Sequence, residues 1–155
     1  MRYVEILSHL KHVSEEHYVL HGSPHHATTL EPRQTEYDSH KEFAQFGLYG
    51  TPYVEIALLY ALIHESRGEW GWAIGGTPTN PKFYVHVFEG FSSGSGYVHI
   101  LDRTLFSTIR KSHGQVAIAR ASIPVLESLS VDEEVLQELL QKDVLEFVYV
   151  DRPGV

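Results

Sequence analysis

One stretch places an imidazole, a side-chain-free backbone and a hydroxyl side by side: His21, Gly22 and Ser23, within Tyr18-Val19-Leu20-His21-Gly22-Ser23-Pro24. Tyr18, Val19 and Leu20 suit a β-strand, and the His-Gly-Ser-Pro that follows is expected to end it. Glycine opens backbone angles closed to other residues, and proline removes a donor. A strand ending in these groups offers a docking place for a polar small molecule; an ordinary turn has the same composition. A second chemistry is suggested by the eleven histidines of the chain. Imidazole clusters bind zinc or nickel, and His21, His25 and His26 crowd one loop, while His9 and His12 share a predicted helix. No His-Glu-x-x-His pair occurs, and Gly22 and Pro24 break any helical spacing in the loop. A metal site is therefore not expected, and a His-rich metal-dependent hydrolase stands only as an alternative.

Composition narrows the class. The 155 residues are 43% hydrophobic and 21% charged, which fits one domain over 1–155 with a core of its own. A net charge of −8 argues against a general nucleic-acid binder, whose phosphate contacts need clustered cations. Absence of cysteine excludes disulfides and thiolate metal sites. No apolar run approaches the ~20 residues that cross a bilayer, so no membrane partner is expected. The N-terminus lacks the apolar stretch of a signal peptide, and a cytoplasmic location is the simplest expectation.

The elements that must position these residues are read from periodicity. Residues 4–13 form an amphipathic helix, and 17–21 the strand that delivers His21. Residues 27–41, including Leu30-Glu31-Pro32-Arg33, read as an irregular loop. Gly47-Leu48-Tyr49-Gly50 is a short strand. Thr51 is expected to cap a largely buried helix, with Pro52 at its first position and an end near Gly68. Its apolar stripe includes Tyr60. Strands are expected at 70–76 and 83–88, and the Ser/Gly-rich 90–96 reads as a hairpin loop pairing 83–88 with 97–101. A helical turn at Thr104, strands at 116–120 and 123–127, a helix capped by Ser130 with Glu133, and a last strand over 144–150 complete the chain. The whole is an α+β domain.

In this order the landmarks resemble the NAD-binding half of the ADP-ribosyltransferase fold. The likeness is to the branch of poly(ADP-ribose) polymerases, diphtheria-type toxins and RNA 2′-phosphotransferases, and to small bacterial and phage proteins of that type. It rests on His21-Gly22-Ser23, then Leu30-Glu31-Pro32-Arg33, then Tyr49-Gly50-Thr51-Pro52 and a helix with Ala57 and Tyr60, over residues 17–64. The resemblance implies a mixed or antiparallel split β-sheet with flanking helices, and NAD as substrate or ligand. It implies that His21 bonds the adenosine ribose and that Gly22 presents its backbone to the nicotinamide carboxamide. Ser23 would support the strand end or the carboxamide, and Thr51 would reach the pocket or merely cap the helix. Tyr49 and Tyr60 would sandwich the nicotinamide ring, although both also read as packing residues. Arg33 or Arg120 would hold phosphates if the RNA phosphotransferase branch is the nearer one. Family transferases carry a glutamate at the start of a late strand; here the position is Gln115, with Glu89 and Glu127 as conceivable substitutes. Gln bonds a hydroxyl but brings no charge to an oxocarbenium-like transition state. Two functions follow from the resemblance: transfer of ADP-ribose with release of nicotinamide to an unidentified acceptor, or a catalytically degenerate module that binds a nucleotide or a partner.

Overall fold

The computed structural model describes residues 2–10, 17–34, 46–64, 70–77, 80–110 and 116–150. They form an α+β architecture of mostly antiparallel strands and three α-helices. Its centre is the helix α2 (Val54–Leu62). Ile56, Ala57, Leu58, Leu59, Ala61 and Leu62 are all buried, so the helix is apolar nearly all round, as a helix enclosed by other elements must be. Tyr60 is its one exposed position, at 37%. It therefore does not lie in the core with the apolar stripe, because its own face of the helix is left partly uncovered.

One side of α2 packs on a three-stranded sheet ordered β1 (Tyr18–Ser23), β7 (Gly96–Asp102), β11 (Glu127–Val131). Around it lie α1 (Tyr3–Leu10), α3 (Glu133–Gln141) and a sheet of β5 (Gly71–Thr77), β6 (Asn80–Val87) and β12 (Leu145–Tyr149). Phe83, Val85 and Val87 of β6 face this main core, and β12 pairs parallel to β6. Tyr3 of α1 donates its hydroxyl to Glu55 at 2.6 Å, tying α1 to the first turn of α2. A smaller core, with Val19, Leu30, Leu48, Leu101, Ala117 and Ile123, fills the opposite side of β1 and β7. It is closed by β2 (Thr29–Leu30) with β10 (Ile123–Pro124), and by β3 (Arg33–Gln34), β4 (Phe46–Gly50), β9 (Val116–Ala119) and β8 (Ser107–Arg110).

Several local expectations are corrected. β1 runs on through His21, Gly22 and Ser23, because each is held in register against β7, opposite His99, Val98 and Tyr97. The hairpin expected between 83–88 and 97–101 does not form. β6 is already paired on both edges, by β5 and β12, so β7 crosses to β1 and β11 instead. Residues 27–34 are not wholly irregular, since β2 and β3 pair with β10 and β4. The 123–127 strand is split into β10 and β11. Thr51 is not the helix cap. Its backbone bridges Leu20 of β1, and α2 starts two residues later, after Tyr53 at the N-cap position. α2 ends at Leu62 rather than near Gly68. Ser130 belongs to β11, and the cap of α3 is Asp132, whose carboxylate accepts from the Glu134 amide at 3.0 Å. The expected helix ends at 11–13 and 65–68, and Gln115, lie outside the described residues.

Candidate functional site at the junction of two strands

β1 meets the chain just past the end of β4 at one point. Leu20 and Thr51 exchange backbone hydrogen bonds of 2.8 and 2.9 Å. In antiparallel register the next pair would be Gly22 with Tyr49 of β4, yet the only bridge there among the described residues is the isolated Leu20–Thr51 pair. The ladder stops there, and the Tyr49 carbonyl is taken by a side chain: His21 Nδ1 lies 2.8 Å from it. Alternation then settles where Gly22 points. Leu20 bonds away from β7, so Gly22, two residues on, also directs its N–H and C=O away from β7 and into the split between β1 and β4.

Glycine is required at position 22 for a different reason. A Cβ built there would fall 1.8 Å from the Ala57 carbonyl oxygen and 2.8 Å from the Ala61 amide nitrogen. Gly96 on β7 is pressed in the same way, with the Ala61 carbonyl oxygen at 2.1 Å. The two glycines let α2 lie directly on the strands. Tyr60, next to Ala61, stands on the helix beside this contact. Trp72 Nε1 donates to its hydroxyl at 3.2 Å, and the Trp70 ring lies 4.9 Å from its ring at 58°. The only two tryptophans of the chain thus both brace Tyr60. Replacing Trp72 by Phe keeps one aromatic ring and removes the pyrrole ring with its N–H donor. The expected cost is about 0.5–1 kcal/mol, read from urea midpoints; a loss above about 2 kcal/mol would mark the indole as a core residue rather than a brace.

On the other face of β1, the His21 side chain joins His99, its partner in register. A carbonyl can only accept, so His21 Nδ1 carries the proton given to Tyr49. Burial pushes the His21 imidazole down to about 4, helped by His99 and the Arg33 charge and opposed by the Tyr49 bond. The ring is therefore neutral at pH 7, and its Nε2 is a bare acceptor with no bonded partner among the described residues. His26 stacks edge-on against Tyr97 at 5.2 Å on the same face.

The structure thus gathers His21, Gly22, Tyr49 and Thr51 at one junction, while Tyr60, next in sequence to Ala61, lies against Trp70 and Trp72. Arg33 is exposed on β3, which pairs with β4, and acts on His21 through its charge. Ser23 turns to its own loop, where its hydroxyl accepts from the His25 amide at 3.1 Å. Thr51 Oγ1 accepts from the Tyr53 amide at 3.1 Å. Neither conceivable substitute for Gln115 is at the junction. Glu89 is exposed in the turn after β6, and Glu127, across β7 from β1, pairs with His9 Nε2 at 2.8 Å. Among the described residues no group of three His, Cys, Asp or Glu side chains could hold a metal ion. No described helix is long and apolar enough to cross a membrane.

His99, Trp70 and Trp72 were not singled out by sequence reasoning. A signal for His99 existed: in Tyr97-Val98-His99-Ile100-Leu101 the two-residue period places it opposite the apolar Val98 and Ile100. Comparison with known proteins returns no match: no family model, no curated protein and no solved structure matches this chain.

Proposed function

We propose that the chain is an NAD- or ADP-ribosyl-binding domain of ADP-ribosyltransferase type, with β1 and β4 as the two arms of a split sheet. The observation that carries this is the halted ladder. One N–H and one C=O of Gly22 are turned into the split, and a carboxamide needs one acceptor and one donor. The bare Nε2 of His21 suits a ribose hydroxyl, which donates to it. The face of Tyr60 suits a planar cationic ring, with Tyr49 on the opposing strand. Ser23 and Thr51 support the strand end and the helix entry in this reading, and Arg33 lies near enough to meet a phosphate. If the domain turns NAD over, the nicotinamide–ribose bond breaks through a dissociative transition state, and Gln115 supplies hydrogen bonding without charge.

Gln115 favours a second reading of the same site: a module that binds the nucleotide and does not cleave it. Three measurements test the pair. Thermal titration with NAD, ADP-ribose and nicotinamide should raise the melting temperature, because a ligand bound only by the native state stabilises it, by about 2.7 kcal/mol at a hundredfold excess over Kd. His21→Ala should weaken NAD binding roughly tenfold, the cost of one hydrogen bond to a buried group. No shift with any of the three ligands would end the nucleotide reading. Nicotinamide release then separates the alternatives: turnover by wild type supports a transferase, and turnover only by Gln115→Glu supports the degenerate module.

A further inference from the structure

Directly beneath the strand end, His99 is completely buried, the only described histidine that is. Both of its ring nitrogens are used. The Ala27 amide, which can only donate, gives its hydrogen to Nε2 at 3.2 Å. Nε2 must therefore be bare, and Nδ1 carries the proton that it donates to the His21 carbonyl at 3.2 Å. One neutral ring thus joins residue 21 of the strand to residue 27 of the loop that follows it. The loop is fastened further by the Ser23–His25 bond and by the Val125 amide donating to the Thr28 carbonyl at 2.9 Å. The groups around His99 offer nothing to balance a positive charge. From β1 it meets His21, from the loop His26, from its own strand Tyr97, and across β11 Ser128, while Arg33 acts on His21. Its own affinity for a proton is lowered, by burial first and by His26.

We propose that His99 is a positioning residue: its neutral Nδ1–H ring locks the 24–27 loop to β1, and this lock holds His21 and Gly22 in the geometry that receives NAD. The proposal rests on the nucleotide reading above. Protonation of Nε2 would set a donor against the Ala27 amide and open the lock, so loop order and NAD affinity should fall together as His99 takes a proton.

The test uses three proteins: wild type, His99→Leu, which removes both bonds, and His99→Gln, whose longer side chain keeps an acceptor within reach of Ala27. Imidazole nitrogen NMR of wild type at pH 7 should show His99 as the Nδ1–H tautomer; the Nε2–H tautomer or an imidazolium overturns the lock. Exchange of the Ala27 amide, corrected for its intrinsic rate, should be at least tenfold faster in His99→Leu and close to wild type in His99→Gln. Equal protection in all three overturns the lock. Calorimetric NAD affinity should fall at least tenfold in His99→Leu and largely recover in His99→Gln. Binding by wild type that is matched by folded His99→Leu overturns the positioning role alone. Absence of NAD binding by wild type overturns the nucleotide reading and the positioning role together. If His99→Leu does not fold, His99→Gln still decides: as the pH is lowered until the imidazole nitrogen signals of wild type report His99 protonation, wild type should lose Ala27 protection in step with that protonation and His99→Gln should not; protection kept by wild type after His99 has protonated, or an identical loss in both, overturns the proposal.

Discussion

Gly22→Ala is expected to cost about 3 kcal/mol or more of folding stability, the upper end of what forced overpacking does. The added Cβ would overlap the Ala57 carbonyl oxygen at 1.8 Å, and that atom is helix backbone with no rotamer to relieve the contact. Either α2 lifts off β1 or β1 bows away from β7. Both responses open the main core, where Leu58, Leu59 and Leu62 are buried completely or almost so. Gly71→Ala is the matched control. A Cβ there has nothing within 4 Å, so alanine in that strand should be neutral or stabilising by a few tenths of a kcal/mol through reduced chain entropy. Urea denaturation of the three proteins is the measurement. If Gly22→Ala and Gly71→Ala share a midpoint, the close packing of α2 on β1 is wrong. The same contact bears on the proposed nucleotide site, since a displaced β1 moves the Gly22 backbone away from the Leu20–Thr51 junction.

Acid should destabilise the protein well before its carboxylates titrate. The His21 imidazole has an ordinary value of 6.5 in the unfolded chain and about 4 in the fold. Below 6.5 the unfolded chain therefore binds the proton that the folded chain refuses, and stability rises with pH through the window from 4 to 6.5 and levels off above it. His99, also lowered, acts in the same direction. From His21 alone the expected loss is about 2 kcal/mol between pH 7 and pH 5, and about 3 kcal/mol across the whole window. Asp102 does not enter this window. Its bonds to Thr104 hold its carboxyl below the usual 3.8, so its contribution is lost only in stronger acid. Urea midpoints at pH 7, 6 and 5 read the effect, with His21→Asn as comparison because its amide still donates to the Tyr49 carbonyl without titrating. Equal midpoints for wild type at pH 7 and pH 5, or an identical slope in His21→Asn, would refute the buried neutral histidine.

Much of the architecture was legible in the chain because local rules wrote it. The apolar run from Ile56 to Ile63 could only be a buried helix, and Phe83-Tyr84-Val85-His86-Val87 alternates as a half-buried strand should. The capping errors show the limit of such rules. Thr51-Pro52 and Ser130-Val131-Asp132-Glu133 both offer plausible starts, but Thr51 bridges Leu20 of β1 and Ser130 lies in β11, and tertiary pairing outweighs a cap of about 1 kcal/mol. The pairing of β7 was not legible either, since the two-residue period names the face of a strand and not its neighbour.

By itself, then, the sequence determined an α+β domain, a buried central helix, and a strand carrying His21, Gly22 and Ser23 ahead of Tyr49, Thr51 and Tyr60. Only the tertiary structure decided what these residues do to one another. It turned Gly22 against the backbone of α2, stopped the β1–β4 ladder after Leu20 and Thr51, gave the Tyr49 carbonyl to His21, and set His99 beneath both. The physical reason is that these contacts join residues far apart in the chain through close approach and hydrogen-bond direction. Residue types and periodicity state which groups are present; the packing of strand on helix states which of their polar atoms remain to meet a ligand.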